Sequence, residues 1–264
     1  MIRVEEMTKY FHRGGVNEVT ALDHLDLHVR QGDFVTIIGS NGAGKSTLLD
    51  CLAGAYAIDT GKVRLGGRDV TVWPEYRRAQ WIGRGFQDPL VGTCASLSIE
   101  QNLALAINRG RRRGLGIGVK SRHRRFFREQ LEILGLGLED RLKSGVGLLS
   151  GGQRQALTMI MATLIEPEVL LLDEHTAALD PKTAAQILDL TRNIIEARGL
   201  TTLMVTHNMT YALAFGNRLI MLHRGKIILD MAGEEKAGLG VEDLLARFYA
   251  SQGETFTSDR ALLG

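Results

Sequence analysis

The stretch GSNGAGKST at residues 39–47 constrains the possible fold more than any other part of this chain. It matches the pattern G-x-x-x-x-G-K-[ST], in which a glycine-rich turn follows a buried strand and opens a helix. Residues 35–38 form an apolar, β-branched run typical of that strand, and residues 46–55 have a helical pattern. The sequence therefore predicts a strand, a phosphate-binding turn and a helix in direct succession.

The residue types in this turn suit the binding of phosphate groups. Glycines let the backbone fold tightly enough for its N–H groups to surround a phosphate, and the helix adds further N–H groups and the positive end of its dipole. Lys45 is expected to reach the β- and γ-phosphates, the Ser46 hydroxyl to ligate Mg²⁺, and Thr47 to touch the α-phosphate. A glycine-rich turn that binds nothing is the alternative, which the other motifs disfavour.

Composition restricts the class of protein further. With 264 residues, of which 44% are hydrophobic, the chain can bury a sizeable core in one large domain or in one domain with a subdomain. Its two cysteines, Cys51 and Cys94, make no disulfide framework, which fits a reducing cytoplasmic setting. The charged N-terminus argues against a signal peptide. Without a run of about 18 apolar residues, any membrane-spanning part is expected to belong to another subunit.

One segment differs from the rest of the chain in charge. Residues 109–128 contain nine Lys and Arg and no acidic residue, whereas the whole chain holds 32 basic and 30 acidic side chains. Two interpretations stay open. The segment is either a solvated loop or a surface that faces anionic lipid headgroups or an acidic partner.

Hydrophobic patterns along the chain predict alternating strands and helices. β-structure is predicted for residues 2–38, and a hairpin with a Gly-Gly turn for residues 62–70. Residues 88–165 have a mainly helical pattern that includes a capping box, SIEQ. Apolar runs at residues 169–172 and 202–205 are typical of buried parallel strands.

This alternation implies an α/β fold with a mostly parallel sheet and helices on both faces. An amphipathic pattern at residues 241–250 predicts a closing helix. Ligands of such sheets bind outside the carboxyl ends of the strands. The turn at residues 39–47, the pair Asp173 and Glu174, and His207 all follow predicted strands at that edge.

Together these motifs resemble the ATP-binding subunit of ABC transporters, over roughly residues 2–229. The most specific element is LSGGQ at residues 149–153, which looks like the family signature, whereas a phosphate loop is shared by many NTPases. The resemblance implies a P-loop NTPase core with a mostly parallel sheet, an N-terminal antiparallel β-subdomain and an inserted helical subdomain. The implied limits are 1–87 and 166–230 for the ATP-binding core with its β-subdomain, 88–165 for the helical signature subdomain, and 231–264 for a C-terminal extension.

The resemblance also implies roles for individual residues. Glu174 corresponds to the general base that polarises the attacking water, and His207 to the switch histidine that contacts the γ-phosphate. The implied Mg²⁺ ligands are Ser46, Gln87 and Asp173, and Gln87 is also expected to sense the transmembrane partner. The residues implied to bind ATP are Phe11 (with Tyr10 as the second choice for stacking on adenine), Gly39, Asn41, Gly42, Gly44, Lys45, Ser46, Thr47 and Gln87.

The signature implies a dimer, because in this family it faces the nucleotide held by the other protomer. The residues implied to bind ATP in trans are Ser150, Gly151, Gly152 and Gln153. A Gly-Gly helix start provides a second anion-binding N-terminus. Asp180 matches the loop that communicates across the dimer, and His175 stands where proline is common in the family, with no chemistry assigned to it. ATP would then join two half-sites, and hydrolysis would separate them.

The implied function is that of an ATPase which energises a membrane transporter, with import of amino acids or another small solute favoured. A non-transport ABC ATPase acting on ribosomes or DNA is the alternative. The single signature and single phosphate loop disfavour the ribosomal class, and the lack of a long heptad insertion disfavours the DNA class. The expected ligands are ATP and Mg²⁺. The expected partners are a second copy of the chain, transmembrane permease subunits and a separate substrate-binding protein, without nucleic acid, at the cytoplasmic face of the cell membrane.

Overall fold

The computed structural model describes residues 1–110 and 118–252, with side chains described as far as residue 249. Part of the basic segment, residues 111–117, and the end of the predicted C-terminal extension, residues 253–264, lie outside the described residues. The chain forms two compact units. The first comprises Met1–Pro74 and the chain from Thr201 onward, and the second comprises Glu75–Leu200.

Strands and helices alternate along most of the described chain. The strands are β1 (Ile2–Phe11), β2 (Val19–Val29), β3 (Phe34–Gly39), β4 (Thr60–Leu65), β5 (Arg68–Asp69), β6 (Ile82–Gly85), β7 (Val169–Asp173), β8 (Thr201–Val205), β9 (Arg218–His223) and β10 (Lys226–Ala232). The helices are α1 (Lys45–Ala53), α2 (Glu75–Arg78), α3 (Ile99–Ile107), α4 (Ser121–Glu132), α5 (Gly151–Thr163), α6 (Pro181–Arg198), α7 (Met209–Ala214), α8 (Glu234–Ala237) and α9 (Val241–Gln252).

An antiparallel sheet of order β2-β1-β4-β5 lies in the first unit. Strand β2 alternates as its sequence predicts, because Leu25, Leu27 and Val29 are buried while the residues between them are exposed. The predicted hairpin is confirmed, with Gly66 and Gly67 both at positive φ between β4 and β5. These features confirm the predicted N-terminal β-structure.

A mostly parallel group of strands, in the order β10-β9-β3-β8, forms the other sheet of the first unit. Strand β3 has a parallel neighbour on each side, and its apolar run is buried on both faces. Helices α7 and α9 cover one face of this sheet, where Ile38, Met209, Leu219, Leu244 and Phe248 pack into one cluster. The predicted closing helix is therefore confirmed as part of this core.

The second unit combines the parallel pair β6 and β7 with most of the helices. Helix α4 packs into this unit through Phe127 and Leu131, which are fully buried. Two basic residues of the charged segment contact this unit itself. The Arg109 guanidinium donates to the carbonyl oxygen of Ala162 at 3.1 Å, and Arg124 pairs with Glu100 at 2.7 Å. Some of the basic side chains at residues 109–128 therefore form hydrogen bonds and ion pairs within the unit.

None of the described helices is long and apolar enough to cross a membrane. The two observed units divide the chain at Pro74 and Leu200, whereas the resemblance implied divisions at residues 87, 165 and 230. The predicted limits concern functional subdomains, which compactness alone does not test. They stay a prediction.

Candidate functional site

The glycine-rich turn lies between β3 and α1 in the first unit, as predicted. Gly39 has φ 149° and Gly44 has φ 100°, and both values lie in the region that L side chains rarely adopt. A Cβ on Gly39 would overlap the carbonyl oxygen of Leu222, and a Cβ on Gly44 would lie 2.5 Å from the carbonyl oxygen of Ala21. Glycine is therefore required at both ends of the turn by backbone conformation and by space.

Lys45 is buried although it carries a charge, with 5% of its surface exposed. Its ammonium group donates to the carbonyl oxygens of Gly39 at 2.9 Å and Ser40 at 3.0 Å, which holds the positive charge over the turn. Helix α1 begins at this residue, and its N-cap, Gly44, has no side chain to accept from the N–H groups of the first turn. The helix start thus presents backbone donors and a positive charge together, which is the chemistry that a phosphate group needs.

His207 lies beside the start of this turn. Strands β3 and β8 are parallel neighbours, with Ile37 opposite Val205, so their carboxyl ends emerge side by side. The N–H of Thr206 donates to the carbonyl oxygen of Ile37 at 3.1 Å, and the exposed His207 follows. Asn208 then caps α7 by accepting from the N–H of Tyr211 at 3.0 Å. The structure therefore brings His207 and the glycine-rich turn to one edge of the sheet.

The aromatic pair at the end of β1 is held by an acidic residue that no local sequence pattern marks. Asp59 accepts from the backbone N–H of Tyr10 at 2.8 Å and pairs with Lys9 at 3.3 Å. The hydrogen bond from Tyr10 is the main cause that lowers the pKa of Asp59 below its usual value. The Phe11 ring makes an edge contact with Tyr56 at a centroid distance of 5.3 Å. The role of Phe11 in stacking on a base stays a prediction.

In the second unit, Gln87, Asp173 and Glu174 come to one edge of a parallel strand pair. Gly85 of β6 lies opposite Leu172 of β7, so the residues after each strand leave in the same direction. Gln87 is exposed, and the two carboxylates are half-buried. Glu174 has φ 43°, an uncommon backbone conformation for a residue other than glycine. The structure therefore brings these three predicted residues together.

The turn after β7 leads into α6 through hydrogen bonds of its own. The carbonyl oxygen of Glu174 accepts from the N–H of Ala177 at 2.9 Å. Asp180 caps α6 by accepting from the N–H of Thr183 at 3.1 Å, and the hydrogen bonds from Thr183 lower the pKa of Asp180. Since this carboxylate is fully exposed, its contribution to stability is that of an ordinary helix cap.

His175, the residue without an assigned role, is buried inside the second unit. Only 2% of its surface is exposed, and its Nε2 lies 3.2 Å from the hydroxyl of Thr191 on α6. Burial lowers the pKa of His175 to about 4, so the ring is neutral near pH 7. The sequence shows that His175 is unusual at its position, but it does not predict that Thr191, 16 positions away, is its partner.

The signature segment starts α5 with a complete capping box. The Ser150 hydroxyl accepts from the N–H of Gln153, and the Gln153 side chain accepts from the N–H of Ser150, both at 3.2 Å. A Cβ on Gly151 would lie 3.3 Å from Leu179, and one on Gly152 would overlap the side chain of Thr183. The signature glycines therefore let the start of α5 pack against the turn that carries Asp180.

The predicted Mg²⁺ ligands are a hydroxyl, an amide and a carboxylate, from Ser46, Gln87 and Asp173 respectively. Mg²⁺ prefers oxygen ligands and is commonly bound by one or two carboxylates together with substrate phosphates. Within residues 1–110 and 118–252, no group of three or more His, Cys, Asp or Glu residues could hold a metal ion. Each of the three side chains offers an oxygen donor of the type that Mg²⁺ takes, and their role as its ligands stays a prediction.

Comparisons with known proteins show the family to which this chain belongs. The family model described as ABC transporter matches residues 22–177. A tyrosine transport ATP-binding protein of Clostridioides difficile (strain R20291) is 44% identical over 94% of this chain and 98% of its own length. A methionine import ATP-binding protein of Streptomyces avermitilis is 34% identical over 100% of this chain and 75% of its own length.

Solved structures resemble the chain over most of its length. One is the dimeric structure of a post-hydrolysis state of an ATP-binding cassette bound to ADP and Pi, with 28% identity and a TM-score of 0.75 over 88% of this chain and 98% of that one. Another is the ADP conformation of an ATP-binding cassette of an ABC transporter, with 26% identity and a TM-score of 0.77 over 95% of this chain and 98% of that one. The predicted fold class, a P-loop NTPase core with an antiparallel β-subdomain and an inserted helical subdomain, is confirmed.

Proposed function

The chain belongs to the ABC transporter family and is an ATPase that binds ATP, and from that premise we propose that it energises the import of an amino acid or a similar small solute. The observation that carries this proposal is the presence of a strained glycine turn with a buried lysine and of an exposed signature helix start in one chain. Relatives named for tyrosine transport and methionine import support the substrate class. The roles of the individual site residues are part of this proposal.

ATP binding is assigned to the turn between β3 and α1. The backbone N–H groups of the turn and of the α1 start surround the phosphates, and Lys45 moves its ammonium group from the carbonyl oxygens of Gly39 and Ser40 to the phosphate oxygens. Phe11 stacks on the base. The other residues assigned to the nucleotide are Gly39, Asn41, Gly42, Gly44, Ser46, Thr47 and Gln87.

Hydrolysis is assigned to Glu174 as general base. Its carboxylate orients a water molecule for attack on the γ-phosphate and accepts a proton from it. The bond between the γ-phosphorus and the bridging oxygen breaks, ADP is the leaving group, and His207 contacts the γ-phosphate during this transfer to water. Ser46, Gln87 and Asp173 would hold Mg²⁺, which when bound neutralises charge on the phosphates.

The signature residues are assigned to the nucleotide of a second copy of the chain. Ser150 and Gly151 are exposed at the α5 start, so the end of this helix that attracts anions is accessible. The dimeric relative bound to ADP and Pi supports this arrangement. Gly152 and Gln153 complete the contact with that nucleotide. Asp180 lies on the turn packed against the signature and communicates the state of the nucleotide site across the dimer. ATP binding closes the dimer, and hydrolysis opens it.

This two-state cycle is what a transporter needs from its energy source. Transmembrane permease subunits, which Gln87 senses, convert closing and opening into alternating access, and a separate substrate-binding protein delivers the solute. The chain would act at the cytoplasmic face of the cell membrane through these partners.

Removing the signature hydroxyl tests the trans contact. We expect Ser150→Ala to lower the stability of the chain by about 1 kcal/mol through loss of the helix cap. It should also weaken ATP-dependent dimerisation about tenfold, because a hydrogen bond to a charged phosphate is lost as well. Dimerisation is measured by analytical ultracentrifugation in the Glu174→Gln background, in which the closed dimer should accumulate.

The chain offers a matched control in its other capping box. Ser98 caps α3, accepting from the N–H of Gln101 at 3.3 Å. Ser98→Ala should cost a similar amount of stability and leave dimerisation unchanged. Equal loss of dimerisation in both variants would mean that Ser150 is only a helix cap.

The transport proposal is tested by its partners. The tagged full chain is purified from detergent-solubilised membranes of its own source, and the co-purifying chains are identified. We expect to recover a polytopic membrane protein, and we expect the tagged chain to keep its wild-type ATPase activity. Recovery of ribosomal or chromosomal proteins without a membrane protein would leave the ATPase assignment intact and overturn the transport assignment.

A further inference from the structure

The turn that connects β7 to α6 places two functional residues by an uncommon backbone path. Glu174 begins the turn at φ 43°, and Asp180 ends it as the N-cap of α6. A residue other than glycine stays in this region of φ only when its surroundings hold it there. The N–H of Ala177 holds the carbonyl oxygen of Glu174 at 2.9 Å, and the residue after Glu174 gives the turn a second anchor.

The side chain that follows Glu174 provides a tether to the interior. His175 points into the unit, where its Nε2 and the Thr191 hydroxyl lie 3.2 Å apart. Both residues are buried, His175 with 2% and Thr191 with 0% of its surface exposed. A hydrogen bond between buried groups is strong in the low-dielectric interior, and breaking it leaves a polar atom without compensation from water.

The neighbouring strand β6 lies beside His175. Gly85 of β6 lies where a Cβ would be 2.8 Å from Leu172 and 3.8 Å from the Cβ of His175. The Cβ of His175 thus lies near β6, while its ring nitrogen reaches Thr191 on α6. Thr191 lies well inside α6, so the hydrogen bond ties the turn to the rigid middle of the helix and not to its frayed end.

We propose that His175 and Thr191 are positioning residues for Glu174, holding its carboxylate in the geometry that hydrolysis requires. This inference rests on the proposed role of Glu174 as general base. Neither residue touches the substrate. Loss of the tether would let the turn relax toward a common backbone conformation, and a misplacement of about 1 Å can cost up to 10²-fold in rate.

Thr191→Val tests the tether, because valine has the shape of threonine without the hydroxyl. In the full chain we expect kcat for ATP hydrolysis to fall roughly tenfold or more while the ATP dissociation constant stays unchanged. Thr191→Ser, which keeps the hydroxyl, should recover most of the rate. His175→Phe, which keeps a ring but no nitrogen, should resemble Thr191→Val, and the double variant should be no slower than either single one.

A second buried threonine provides the matched control. Thr163, at the end of α5, is also fully buried, and its hydroxyl donates to the carbonyl oxygen of Met159 at 3.0 Å. Thr163→Val should lower the melting temperature about as much as Thr191→Val and leave kcat unchanged. If both variants lose the same fraction of kcat, Thr191 has only a structural role and the proposal is wrong.

Single-turnover hydrolysis in the Glu174→Gln background gives the decisive comparison. If Thr191 acts through the Glu174 carboxylate, adding Thr191→Val to Glu174→Gln should not slow the residual reaction further. A further tenfold loss there would overturn the proposal. If Glu174→Gln itself hydrolyses ATP at the wild-type rate, the general-base assignment fails. Wild-type kcat in Thr191→Val, together with strongly slowed hydrolysis in Glu174→Gln, refutes the positioning role alone.

Discussion

Glu174→Gln is expected to bind ATP with wild-type affinity and to hydrolyse it about 10²- to 10⁴-fold more slowly. The amide has nearly the same shape as the carboxylate, so the turn after β7 and the neighbouring Asp173 should be preserved. It cannot accept a proton from the attacking water at neutral pH. Binding and chemistry should therefore separate, which single-turnover hydrolysis and an ATP titration measure independently.

The same substitution should trap the closed dimer. If ATP joins two copies and hydrolysis separates them, a chain that binds but does not hydrolyse ATP should remain dimeric as long as ATP is bound. Glu166→Gln is the matched control, because Glu166 is an exposed glutamate in the second unit with φ 48°. It should behave as wild type. A Glu174→Gln protein that turns over ATP at the wild-type rate would refute the base assignment.

Lys45→Ala is expected to weaken ATP binding about 10²-fold. Hydrogen bonds from a charged donor contribute about 1.5–3 kcal/mol each, and the buried ammonium group can donate to more than one phosphate oxygen. The loss should appear in the ATP dissociation constant measured by calorimetry, before any hydrolysis step.

Because Lys45 also donates to two carbonyl oxygens of its own turn, the stability of the variant must be measured beside its affinity. Lys226 is a suitable control, since it lies in the same unit and pairs at the surface with Asp23 at 3.0 Å. Lys226→Ala should leave ATP affinity unchanged. An unaltered dissociation constant in a folded Lys45→Ala protein would contradict the assignment of the glycine-rich turn to phosphate binding.

Local sequence signals were sufficient for the elements that position the candidate site. The glycine-rich turn could be predicted because its backbone tolerates no side chain at Gly39 or Gly44, and the apolar runs of β3, β7 and β8 reflect burial on both faces. The capping boxes that start α3 and α5 are equally local, since each joins residues three positions apart. Such features depend on neighbours in the chain.

Contacts between distant segments could not be predicted in this way. Asp59 holds Tyr10 from 49 positions away, and Thr191 meets His175 across a turn and half a helix. Strands β9 and β10 also had no clear prediction, although β9 completes the burial of β3. Tertiary packing determines which residues become partners. The local sequence around each partner does not differ from that around other polar residues of similar size, so it does not predict the pairing. The roles of individual site residues stay predictions.

Uptake by reconstituted vesicles tests the central claim most directly. The chain is co-purified with its membrane partner, inserted into proteoliposomes and supplied with ATP on the side that this subunit occupies, together with the matching substrate-binding protein. We expect ATP-dependent accumulation of a radiolabelled amino acid, with tyrosine and methionine tested first, and no accumulation with Glu174→Gln. ATP hydrolysis without movement of any amino acid or similar small solute, or equal uptake by the Glu174→Gln complex, would contradict the account.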